Sequence, residues 1–222
     1  MLLMTIGGDP NIGIFCLATD KFCLLPNTVE KNDFKKIESD LKVECFKAKL
    51  VGSDLLGIFS VANSNGILFC NLVSEKEIKF MKEKLKKFDI NFGKIKLRYT
   101  AIGNLILCND KGAIISELIG KRERKRIEDI LGVETSYGRI ANLKIVGACG
   151  IATNKGCLLH RDAKEEEIKL VEDVLKVNSD IGTVNFGSPF VGSAIIANSF
   201  GVIIGERSSP PEIARIMEAL NL

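Results

Sequence analysis

The chain has 222 residues, 46% of them hydrophobic and 27% charged, with a formal net charge of +3. This composition excludes a disordered tail protein. The charge excess is too slight to mark a nucleic-acid binder by itself, and no apolar run approaches the ~20 residues of a membrane span. Seven cysteines without a C-x-x-C pair, beside a single histidine, argue against a zinc centre; they read as free thiols in a reducing, cytoplasmic setting. Residues 1–6 carry no basic leader and read as a strand of the fold.

In chain order the elements then recur. The first copy has Gly13, an apolar run to Ala18, a polar turn before Phe22, a helix face of Phe34, Ile37 and Leu41, and a strand over 43–50. The second predicts a strand over 57–62, a turn at Asn65-Gly66 and a second strand over 67–71. A capping box from Ser74 to Glu77, a helix face of Ile78, Met81 and Leu85, and a strand over 90–98 follow. The third has Gly103, a turn at Lys111-Gly112, the basic run Lys121-Arg122-Glu123-Arg124-Lys125-Arg126 opening a helix, and a strand over 133–143. The fourth has Gly147, Lys155-Gly156, an aspartate form of the cap from Asp162 to Glu165, a helix face of Ile168, Val171 and Leu175, and a strand over 183–191. The fifth has Gly192, Phe200-Gly201, a cap from Ser209 to Glu212 with a proline pair, and Ile213, Ile216 and Leu220 on the helix. It has no third strand.

One clock governs all of these features. The turn positions 22, 66, 112, 156 and 201 are 44, 46, 44 and 45 residues apart, and a glycine stands nine residues before every one of them. Thr19, Asn63, Asn109, Thr153 and Asn198 stand three before. The helix faces keep the same spacing. A period near 45 residues, repeated five times, marks a repeat architecture. The units run approximately over 7–50, 51–98, 99–144, 145–189 and 190–222 of a single domain. Strand 1–6 completes the fifth unit, which closes a ring and leaves fewer sheet edges. The fold class is α/β: a five-unit α/β propeller with pseudo-fivefold symmetry.

Three stretches carry a resemblance. They are Ala101-Ile102-Gly103-Asn104 leading to Cys108-Asn109-Asp110, Val146-Gly147 leading to Gly156-Cys157-Leu158-Leu159-His160, and Gly182-Thr183-Val184-Asn185 followed by Gly187-Ser188. In this order and spacing the chain resembles the translation initiation factor 6 family over its whole length. Without the Ser/Thr-rich tail of eukaryotic members it is most like the archaeal ones. The resemblance implies a five-unit propeller of the pentein type, no catalysis and no cofactor or metal. It also implies binding to the intersubunit face of the large ribosomal subunit, on a ribosomal protein near the sarcin-ricin loop with RNA adjacent. There such a factor blocks subunit joining and takes part in late subunit maturation. A monomer is expected, because a closed ring offers no sheet edge.

The candidate docking face collects the unit junctions: Asn11, Gly13, Gly57, Gly103, Asn104, Gly147, Gly192 and Ser193. For the glycines two readings stand, a positive φ or close backbone approach on one hand, and bare backbone offered to a partner on the other. Asn104 departs from its counterparts Ile14, Ile58, Ala148 and Ser193; it either closes a local turn or pairs with a partner. Asn185 falls in the third strand of unit four, where it reads either as a buried, satisfied amide between strands or as a further residue of the face. The basic run reads as a solvated helix face, the alternative being contact with RNA phosphates. Pentein folds also host guanidine-modifying enzymes with a cysteine nucleophile and a histidine base. Here the last cysteine is Cys157 and the only histidine is His160. Residues three apart on a strand face opposite ways, so the pair is unsuited to that chemistry.

Overall fold

In the computed structural model, which describes all 222 residues, β1 (Leu2–Met4) opens the chain and five units follow. Unit one has a tight turn at Ile12–Ile14, β2 (Leu17–Ala18), β3 (Phe22–Pro26), α1 (Lys31–Leu41) and β4 (Glu44–Ala48). Unit two has the single-turn α2 (Leu56–Phe59), β5 (Ser60–Ala62), β6 (Gly66–Phe69), α3 (Glu75–Leu85) and β7 (Asn91–Lys94). Unit three has a turn at Ile102–Asn104, β8 (Ile106–Cys108), β9 (Gly112–Ser116), α4 (Lys121–Leu131) and β10 (Glu134–Gly138). Unit four has β11 (Gly150–Ala152), β12 (Cys157–His160), α5 (Glu165–Leu175) and β13 (Ser179–Gly182). Unit five has α6 (Val191–Ala194), β14 (Ile195–Ala197), β15 (Val202–Gly205) and α7 (Pro210–Ala219).

Each unit makes one three-stranded sheet. The middle strand pairs antiparallel with its hairpin partner and parallel with the strand after the helix, as β6 does with β5 and β7. In unit five the third place is taken by β1, parallel to β15 with Leu3 opposite Ile204. Met4, Ile196 and Ile203 then share a core with Ile37 and Leu41 of α1.

The asparagines of the repeat tie neighbouring units together. Asn63 turns its own hairpin by accepting the N–H groups of Asn65 and Gly66. Its amide donates to the carbonyls of Asn109 (3.1 Å) and Leu131 (2.8 Å) in unit three. Asn109 does the same to Thr153 and Leu175, and Asn198 to Thr19 and Leu41 of unit one. Each amide thus serves a helix C-terminal carbonyl that has no partner within its own helix. The turn glycines sit where a side chain would strike the next unit's helix: Gly66 faces the Ile130 carbonyl and Gly201 that of Asp40. Unit one has Phe22 at this place. There the chain after α3 adds a turn at Lys86–Phe88, and the Phe22 and Phe88 rings pack 5.6 Å apart.

Several expectations are corrected. The strand expected over 57–62 begins only at Ser60, because Gly57 lies in α2, whose tight turn brings its backbone against unit one. The third strand of unit four lies at 179–182, not 183–191. Asn185, Phe186 and Gly187 all have positive φ (51°, 65° and 102°), which breaks extended pairing. In strand register the counterpart of Gly138 is Gly182, opposite His160 as Gly138 is opposite Ser116. Helix α5 is preceded by Lys164 rather than capped by Asp162, and Glu167 accepts the Lys164 N–H. The boxes at Ser74 and Ser209 form with Glu77 and Glu212.

Candidate docking face

In each unit the first hairpin strand leaves the junction, the turn lies at the far end, and the middle and third strands both run back. All junctions, helix N-termini and loops after the third strands therefore share one end of the ring. At that end a side chain on Gly57 would strike the carbonyl of Gly13. Gly103 stands likewise against Gly57, Gly147 against Gly103, Gly192 against Gly147, and Gly13 against Gly192. None of the five has a positive φ, so close backbone approach, not an unusual dihedral, requires glycine here.

Asn104 and Ser193 join these five glycines around one mouth of an axial channel. The Asn104 backbone is used: its N–H donates to Ala101 and its carbonyl accepts from Gly147 at 3.0 Å. Its half-buried side-chain amide has no hydrogen-bond partner in the chain, so it closes no local turn. Asn11 stands apart from the mouth, where its amide donates to Asp9 Oδ1 at 3.0 Å.

Sequence reasoning missed a neighbour at the same end. Phe186, expected inside a strand, is 86% exposed. Its loop is held from below by Glu212, which accepts the N–H groups of Phe186 (3.1 Å) and Gly187 (2.8 Å) and the Thr183 hydroxyl (2.8 Å). Burial pushes the Glu212 carboxyl up, but N–H groups of Ser209 and Gly187 and the hydroxyls of Thr183 and Ser209 hold it down to about 2. Asn185 donates to the Pro10 carbonyl at 3.0 Å across the joint with the first unit. Two in-line left-handed residues before a positive-φ glycine are the signal that 185–187 is a turn, and only backbone geometry reveals it.

The channel encloses about 120 Å³ and its wall is largely apolar, with Leu17, Val61, Leu107 and Ile195 among the lining residues. Its far mouth is closed by mutual hydrogen bonds: Asn154 donates to Asp20 (2.8 Å) and Asp110 (2.6 Å), which also accept the N–H groups of Ser199 and Ser64. Burial pushes the Cys108, Cys149 and Cys157 thiols up to about 12, the reverse of an activated nucleophile. His160 is buried against Phe190, its Nδ1 accepting the Asp162 N–H at 3.1 Å, and burial lowers its pKa. No three His, Cys, Asp or Glu side chains gather as a metal set, and no helix is long and apolar enough to cross a membrane.

Residues 1–219 match the eIF-6 family. A protein named Translation initiation factor 6 from Methanococcus vannielii is 45% identical over 226 aligned positions, covering 100% of this chain and 99% of that one. One of the same name from Pyrococcus abyssi is 40% identical, covering 96% and 95%. The chain belongs to the translation initiation factor 6 family. It is accordingly a translation factor and not an enzyme. A solved structure of a DDAH mutant from Pseudomonas aeruginosa, complexed with citrulline, superposes with a TM-score of 0.51 at 14% identity, covering 86% of this chain and 75% of that one. That likeness concerns the pentein fold alone.

Within this family member, the basic run divides by role. Arg124 is tied down: its Nε donates to Glu128 at 3.0 Å, its terminal nitrogen to the Thr135 carbonyl at 2.6 Å, and its guanidinium lies over Tyr137. Arg122 and Arg126 are exposed.

Proposed function

We propose that the chain docks through the glycine end of its ring on the intersubunit face of the large ribosomal subunit. It thereby blocks joining of the small subunit and serves late in large-subunit maturation. It works in the cytoplasm as a monomer. The partner is a ribosomal protein near the sarcin-ricin loop, with RNA adjacent. The observation that carries the reading is the unpaired amide of Asn104, set in a ring of packed glycine backbone. A rigid rim with one free donor–acceptor group is preorganised for a flat partner and loses little entropy on docking. Phe186, exposed on a pinned loop at the same end, supplies an aromatic anchor of the kind that dominates interface energy.

The test is co-sedimentation with purified large and small archaeal subunits, with joining followed by light scattering. Binding to the large subunit alone, with joining suppressed, is the expected result. Binding to neither subunit overturns the reading.

A further inference from the structure

Beside the glycine end, on the outer wall between units two and three, lies a polar groove of about 440 Å³. Lys94, the last residue of β7, and Lys96, two residues beyond the strand, reach it from one side. Arg122 and Arg126, four apart on α4, reach it from the other. Lys94 is paired with Glu75 at 3.2 Å; Lys96, Arg122 and Arg126 have no ion-pair partner. One acidic side chain, Glu123, and one apolar residue, the buried Ile95, complete the contrast. The N-cap of α4 is Gly120, which offers no side chain, and the first three amides of the helix find no acceptor in the chain. Uncompensated cations gathered on one trough beside a helix N-terminus make an anion site.

We propose that this groove binds the phosphodiester backbone of RNA. Two guanidinium forks and the free Lys96 ammonium spread along a trough match a row of phosphates. The groove has no apolar pocket to seat the anchors of a peptide. The choice of RNA as the phosphate source rests on the ribosomal reading above, whereas the binding itself is measured without ribosomes.

The experiment is fluorescence anisotropy with a labelled RNA hairpin, titrated at several KCl concentrations. The wild-type chain is compared with Lys96→Gln/Arg122→Gln/Arg126→Gln. A control, Lys31→Gln/Lys35→Gln/Lys169→Gln, removes equal charge from other helices. Circular dichroism melts check that all three fold alike. The groove variant should bind at least 10-fold more weakly, and the slope of log affinity against log salt should flatten by about two to three, near one per lost phosphate contact. The control should stay within twofold of wild type. Equal affinity of the two variants overturns the proposal. So does a glutamate-rich peptide that binds as tightly as the hairpin, which would assign the groove to a protein. Displacement of the hairpin by micromolar inorganic phosphate would overturn it in favour of a small-anion site. A chain that binds the hairpin through the groove but ignores large subunits supports this proposal while refuting the docking reading.

Discussion

Asn104 and Phe186 spend their side chains on nothing inside the chain. The Asn104 amide has no internal hydrogen bond, and Phe186 leaves 86% of its surface to solvent. Removing either should therefore leave stability nearly untouched. We expect Asn104→Ala and Phe186→Ala to shift the unfolding midpoint by less than about 2 °C, within the ±0.5 kcal/mol usual for such surface positions. Each should weaken large-subunit binding by about 1–2 kcal/mol, roughly 5- to 30-fold. Sedimentation titrations of folded variants check this; unchanged affinity for both would remove them from the interface. The sequence singled out Asn104 because its repeat counterparts are mostly apolar or small. It hid Phe186, because a polar-aromatic-glycine triplet also occurs in the true strands at 91–93 and 136–138.

Helix α7 and the loop it supports depend on one carboxylate. Glu212 accepts the Ser209 N–H at the helix start and N–H groups of the loop before α6, so the last helix and the exposed Phe186 are set by the same group. Its carboxyl lies near 2, below the ordinary 4.5. The charged form is thus favoured by folding. That stability is fully present above about pH 4.5, declines as pH falls, and is gone once pH passes through the folded value. It amounts to on the order of 3 kcal/mol at neutral pH. Glu212→Gln should cost about 2 kcal/mol at pH 7 and should flatten the loss of stability between pH 4.5 and 2. Urea denaturation across that range is the measurement; an unchanged acid limb would show that another carboxylate governs it. Capping boxes at Ser74 and Ser209 were legible because the motif is local. The start of α5 was misread by two residues, because Asp162 and Glu165 copy the spacing while Lys164 and Glu167 hold the position.

Around the molecule, every unit meets its neighbour through a junction glycine against a carbonyl, and units two, three and five add an asparagine amide against the next helix end, where units one and four have Thr19 and Thr153. The pairings of β1 with β15 and of Asn198 with Thr19 and Leu41 extend them from unit five to unit one. If that joint is as strong as the internal ones, Asn198→Ala should cost the same as Asn109→Ala. Each of these two leaves two buried carbonyls short of a donor, a loss of about 2 kcal/mol, and Asn63→Ala should cost less, because the Asn65 amide still donates to Leu131. Thermal melts of the three variants decide: a markedly smaller loss at Asn198 would mark unit five to unit one as a loose seam.

The unit count, the period and the positions that tolerate no side chain were written into the order of the amino acids. Turn residues, caps and helix faces act over a few neighbours, and any register shared by all five copies stands out against chance. Folding in three dimensions settled which contact each of those positions serves. A glycine reads alike in a sequence whether it needs a positive φ or room for a carbonyl about 45 residues away, and here the carbonyl decides. The basic groove likewise joins a strand end of one unit to a helix of the next, so Lys96 and Arg126 become neighbours only once the units pack side by side. Arg124 sits in the same charge run but is drawn off by Glu128 and Thr135, because a helix turns alternate charges onto different faces.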